Sequence, residues 1–195
     1  MEPFELLESI VVPMPEANID TDQIIPARFL QKPRRDGCGP WLFHDLRQSP
    51  TGEENLAFVL NQPRYRTARI LVAGDNFGCG SSRENAVWAL YDYGFRAVIA
   101  PGFGDIFFNN CLKNGLLPVR LPRKTVDRLL AADSEQVVKV DLTAQTVTFG
   151  DAQVGFEIDP FAKHCLLNGV DELGYTLTRM DEIAEFEREY EGNSR

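Results

Sequence analysis

The strongest constraint on the fold lies between positions 69 and 120, where short apolar runs alternate with segments of helix length. Residues 69–73 (RILVA), 97–100 (AVIA) and 117–120 (LPVR) have the length and composition of strands. Residues 82–93 and 105–114 between them have the length of helices. A parallel strand pair needs a crossover of about a dozen residues or more, and a helix supplies it. The order therefore predicts βαβ units with a parallel core, an α/β fold.

The flanks add a second kind of structure. Residues 9–14 read as a short strand, and 122–132 as a helix opened by Pro122, whose missing amide is tolerated in a first turn. Residues 137–142, 146–149 and 154–158 read as short antiparallel strands joined at 143–145 and 150–151. A helix over 160–167 stops at Asn168-Gly169, and a charged amphipathic helix over 181–190 leads into the tail that ends at residue 195. The prediction is a mixed parallel core plus an antiparallel meander in one domain spanning 1–195. Residues 31–62 lose all periodicity. Pro33, Gly37, Gly39, Pro40, Pro50 and Gly52 punctuate them, with the charged stretch Arg34-Arg35-Asp36 inside, so a long excursion is expected, mobile or ordered by a partner.

Composition excludes several function classes. With 195 residues, 44% of them hydrophobic, the chain can bury one substantial core. A formal charge of −9 argues against a nucleic-acid surface, which needs clustered Lys and Arg. No apolar run approaches the roughly 20 residues that span a bilayer, and the first eight residues are acidic where a signal peptide is basic. A cytoplasmic protein without a membrane partner is expected. Cys38, Cys79, Cys111 and Cys165 lie far apart with no CxxC spacing, so neither a disulfide framework nor a metal site held by this chain is indicated. His44 and His164 have no second histidine nearby. His164, inside the apolar run 161–167, reads as a packed helix residue.

The chemistry concentrates in residues 74–85 (GDNFGCGSSREN), which follow a strand and open a helix. Glycines let the chain turn tightly, and the first helical turn presents unpaired amides at the positive end of the helix dipole. Ser81, Ser82 and Arg83 add hydroxyls and a forked guanidinium, a combination suited to a carboxylate or phosphate. A bland alternative stands beside this reading. Ser81 with Glu84 three residues later also spells a capping box, which would employ the serine in closing the helix. The turn lacks the Gly-Lys-Ser/Thr ending of a P-loop and does not match Gly-x-Gly-x-x-Gly.

Four segments carry a family resemblance: residues 18–26 (NIDTDQIIP), 78–84 (GCGSSRE), 93–101 (YGFRAVIAP) and 105–109 (DIFFN). Together, and in this order, they resemble the small subunits of 3-isopropylmalate dehydratase in the aconitase superfamily, over about residues 10–178. The resemblance implies the aconitase-type swivelling β/β/α domain, made as a separate polypeptide. It implies a large aconitase-like partner subunit that carries the [4Fe-4S] cluster, with none bound by this chain, and a small dicarboxylate substrate. Motif matching places Ser81 where the catalytic base lies, Ser82 and Arg83 where a substrate carboxylate is held, and Thr21 and Asp22 in an earlier substrate-site loop. Residues 24–30 match the loop that reads the variable substituent. Their apolar side chains fit an isopropyl group, and Arg28 is a further candidate for an acid group.

The reaction so implied is the interconversion of 2- and 3-isopropylmalate through 2-isopropylmaleate, a step of leucine biosynthesis. It needs a proton removed beside a carboxylate and a Lewis acid for the departing hydroxide. Ser81 in a nest of amides beside Arg83 suits the first task, since positive potential stabilises an alkoxide. Cys79 is the rival nucleophile in the same turn. One departure stands out: the family pattern continues with His where this chain has Asn85, which cannot titrate near neutrality. Two other readings stay open, a hydratase of citraconate or another methyl-maleate, and a carboxylate-binding module without catalysis.

Overall fold

The computed structural model describes residues 1–31 and 36–193. Its sheet has seven strands in the order β4-β3-β2-β1-β5-β6-β7: β1 (Leu6–Met14), β2 (Ile70–Ala73), β3 (Ala97–Ala100), β4 (Leu117–Arg120), β5 (Val137–Asp141), β6 (Thr146–Phe149) and β7 (Ala152–Gly155). The helices are α1 (Thr21–Ile24), α2 (His44–Arg47), α3 (Glu84–Tyr93), α4 (Asp105–Lys113), α5 (Arg123–Leu130), α6 (Pro160–Asn168), α7 (Glu172–Leu177) and α8 (Met180–Asn193).

Strand β1 joins the two halves of the sheet. Its first half, Leu6 to Ile10, pairs antiparallel with β5, and its second half, Val11 to Met14, pairs parallel with β2. Strands β2, β3 and β4 continue the parallel part, while β5, β6 and β7 form the meander. Because β2 and β3 are covered on both faces, all eight of their residues are buried, the pattern expected of parallel strands. One face holds Leu71, Ala73, Val98 and Ala100 under α3 and α4. The other holds Ile70, Val72, Ala97 and Ile99 with Val126 and Leu129 of α5 and the inward side chains of the meander.

Several boundaries depart from expectation. Strand β1 starts three residues before Ser9, because Leu6, an apolar residue on its exposed face beside the buried Leu7, conceals the alternation. Helix α3 starts at Glu84, two residues later than expected. Pro122 is the N-cap of α5 and not its first helical residue. Strand β7 lies earlier than 154–158, since Phe149 pairs with Ala152 across the two-residue turn and pairing begins at once. Helix α7 was not anticipated. Gly169 closes α6 in the left-handed conformation, as read from the sequence.

Residues 36–62 of the excursion pack onto the core. Cys38, Leu42 and Phe43 are fully buried and join the cluster on the α3 side. The Cys38 amide donates to the Asp92 carboxylate of α3 at 2.7 Å. Short 3-10 turns at Gly39–Trp41 and Val59–Asn61 replace longer helices, which is why no 3.6-residue period is visible. Arg34 and Arg35 lie outside the described residues.

Candidate active site

All four parallel strands end on one edge of the sheet, the edge where open α/β sheets form their ligand crevices. The loops that leave β1, β2 and β3 there are bonded to one another. Asn18 N–H donates to Asp75 O at 2.8 Å, Gly78 N–H to Ile19 O at 2.7 Å, Phe77 N–H to Gly102 O at 3.0 Å and Gly104 N–H to Phe77 O at 2.9 Å. Two glycines permit this approach. Gly78 has φ +72°, and a Cβ there would lie 2.2 Å from the Phe107 ring; a Cβ on Gly104 would lie 2.6 Å from Gly78 O. Phe107 is in turn set edge-on against Phe77, with ring centres 5.4 Å apart.

Residues 78–83 therefore form a fixed ledge, and the loop after β1 props it from below. Thr21 donates from its amide to Cys79 O and from its hydroxyl to Ser81 O, each at 3.0 Å. The Arg83 amide donates to the same Ser81 carbonyl at 2.9 Å. Ser81 is thus held by its main chain, and its hydroxyl has no partner among the described residues. The capping-box alternative is not realised. Arg83 is the N-cap of α3 and makes no side-chain capping bond, and Glu84 accepts from Asn114 Nδ2 at 2.7 Å. The amides of Ser81, Ser82, Glu84 and Asn85 lack protein acceptors among the described residues, so several donors at this turn remain available to a ligand.

The structure brings most of the candidates together. Ser81, Ser82, Arg83 and Asp22 line the exposed side, and Arg83 Nη1 bonds to Asp22 Oδ1. Thr21 is only 1% exposed, which makes it a strut under the site. Arg28 is the exception. It pairs with Asp45, lies 3.2 Å from His44 Nδ1 and stacks on Phe29, with no contact to the 78–83 turn. Arg28, and His44 after it, hold the exposed Asp45 carboxyl at about 2, so this pair stays charged at neutral pH. His164 is exposed on α6 with its ring edge-on to Tyr175, not packed inside as expected. Asn85 makes no side-chain hydrogen bond among the described residues.

Two features escaped sequence reasoning. A capping box does form, at Asp20 and Gln23 of α1, where the D-x-x-Q signature was visible. Asn18 and Asn76, both at positive φ, are joined by a 2.8 Å side-chain bond that ties the two loops. No sequence signal identified that pairing.

Cys79 is half-buried on the ledge, whereas Cys38, Cys111 and Cys165 are buried. Burial pushes the Cys111 thiol up strongly. Burial, then the nearby Glu172, Asp171 and Asp159, pushes Cys165 up as well. A thiol reagent at neutral pH is therefore expected to label Cys79 first and the other three only after unfolding. Mass spectrometry of the partly labelled native protein checks this, and equal labelling of Cys111 would contradict the packing described. Among the described residues no three His, Cys, Asp or Glu side chains converge as metal ligands, and no helix is long and apolar enough to cross a membrane.

Comparison with known proteins points the same way as the geometry. The family described as the aconitase C-terminal domain matches residues 1–124. The chain is 54% identical over 191 residues to the 3-isopropylmalate dehydratase small subunit of Paramagnetospirillum magneticum, covering 96% of this chain and 95% of that protein. It is 53% identical to the small subunit from Dinoroseobacter shibae over the same length, again with 96% and 95% covered. Among solved structures, a 3-isopropylmalate dehydratase from Methanocaldococcus jannaschii superposes with a TM-score of 0.69 at 23% identity, covering 92% of this chain and 98% of that one. That structure supports the fold: an aconitase-type domain with a mixed parallel and antiparallel sheet.

Proposed function

The chain belongs to the small subunits of 3-isopropylmalate dehydratase, within the aconitase C-terminal domain family, and from that premise we propose that it forms the substrate-closing half of a two-subunit hydro-lyase in the cytoplasm. The enzyme interconverts 2-isopropylmalate and 3-isopropylmalate through 2-isopropylmaleate in leucine biosynthesis. The observation that carries the reading is the ledge at 78–83. It carries an uncommitted serine hydroxyl, a guanidinium and several unpaired amides, and its Cys79 and Ser81 carbonyls are held from the loop after β1.

A dianionic substrate suits these groups. Arg83 and the Ser82 hydroxyl hold one carboxylate, and Ser81, as the alkoxide, takes the proton from the adjacent carbon and becomes the neutral hydroxyl. The amides stabilise the charge that develops, without having to reorganise. Asn85 has no bond to Ser81, so the proton transfer assigned to the serine does not route through it.

The [4Fe-4S] cluster of the family does not fit this chain. Three of its four cysteines are buried, and the one on the ledge is not part of any group of three His, Cys, Asp or Glu side chains among the described residues. We assign the cluster, and the Lewis-acid task, to the large subunit. Thr21 acts by positioning Ser81. Arg28 faces the outer loop and holds a substrate acid group only if the Asp45 pair opens.

The test is a substrate panel on the assembled, cluster-loaded enzyme under anaerobic conditions. Isopropylmalate is expected to be turned over with a kcat/KM at least about tenfold above citraconate, since a missing alkyl group in an apolar pocket is worth about 1–3 kcal/mol. Preference for citraconate would reassign the substrate, and no turnover of any diacid would leave a carboxylate-binding module.

A further inference from the structure

We infer that Asp22 is a positioning residue for Arg83 and does not itself bind the substrate. The inference deepens the reading of the same site and rests on it. An ionised aspartate only accepts hydrogen bonds, and a substrate carboxylate beside it would be repelled. Its observed partner is instead Arg83, through Nη1. That bond uses one of five guanidinium donors, and Nε and Nη2 have no acceptor among the described residues. The remaining edge is therefore presented for a bidentate carboxylate contact.

The support beneath Asp22 is rigid. Its helix is one turn long, yet Asp20 and Gln23 cap it reciprocally at 2.8 and 2.9 Å. Thr21 is bonded twice to the ledge, and Ile24 and Ile25 are fully buried. The Arg83 side chain is 20% exposed and that of Asp22 is 51% exposed, so the arginine stem is covered while the carboxylate reaches over from the solvent side. A long, rotamer-rich side chain is thereby fixed before substrate arrives, which removes an ordering cost from binding.

The experiment is a double-mutant cycle on the assembled enzyme with isopropylmalate. Asp22→Ala is expected to raise KM about tenfold with kcat changed less than about threefold, the pattern of lost binding that is equal in ground and transition states. Asp22→Asn, which keeps an acceptor, is expected to recover most of that loss. In an Arg83→Ala background Asp22→Ala is expected to have no further effect. Independent, additive losses, or a fall in kcat alone, would overturn the assignment.

The isolated chain gives a second readout by NMR. Arg83 Nη signals are expected to be resolved in the wild type, averaged by rotation in Asp22→Ala and partly resolved in Asp22→Asn. Signals already averaged in the wild type would overturn the inference. A wild-type complex inactive on isopropylmalate would sink the functional reading instead, and the spectra would still decide the role of Asp22.

Discussion

Ser81→Ala in the assembled enzyme is expected to lower kcat for isopropylmalate by about a thousandfold, inside the range of about 10²–10⁴ for loss of a positioned acid–base group. The fold should not notice. The Ser81 hydroxyl has no partner among the described residues, and its carbonyl keeps both donors, Thr21 Oγ1 and the Arg83 amide. Thermal melting of the variant should match the wild type, which separates lost chemistry from lost structure. Cys79→Ala should retain most activity, because the Cys79 main chain, and not its thiol, receives the Thr21 amide. The reverse ranking of the two variants would move the chemistry to the thiol.

Gly78→Ala should destabilise the fold strongly. The new Cβ would occupy a left-handed backbone position, at about 1–2 kcal/mol. It would also fall 2.2 Å from a ring atom of Phe107. Phe107 is 3% exposed and braced by the fully buried Phe77, so the ring cannot swing aside, and overpacking adds about 1–3 kcal/mol. For a chain of this size the sum corresponds to a melting temperature lower by about 5–15 °C. Gly52→Ala is the matched control: φ is +85°, but nothing lies within 4 Å of the added carbon, so only the backbone cost remains. Equal melting shifts for the two variants would show that the contact with Phe107 contributes nothing.

The parallel core was legible because β2 and β3 are buried on both faces, and continuous apolar runs such as Ile70–Ala73 record that environment directly. The meander was legible through its turn residues. Strand β1 was harder, since one strand serves two sheets' worth of pairing and changes its burial pattern at Val11. The packing of 36–62 was not legible because its buried side chains, Cys38, Leu42, Phe43 and Leu60, sit on irregular turns where no period exists to be seen.

Capping signatures show most clearly where local reading stops. Asp20-x-x-Gln23 and Ser81-x-x-Glu84 have the same form, and only the first closes its helix. Glu84 is drawn to Asn114, 30 residues away, and the Ser81 carbonyl to Thr21, 60 residues away. Contacts at that distance in sequence decide which signature is structural and which leaves a hydroxyl free. Arg28 shows the same limit. Its pairing with Asp45, 17 residues on, takes a candidate substrate ligand to another part of the surface.

The central claim is that this chain completes an active site whose other half lies on a partner. Its most direct measurement is isopropylmalate turnover as the purified chain is titrated, without oxygen, into the cluster-loaded large subunit. No turnover is expected from either subunit alone, and activity is expected to rise with added chain and saturate. A rate unchanged by the chain, whether zero or already full, would contradict it.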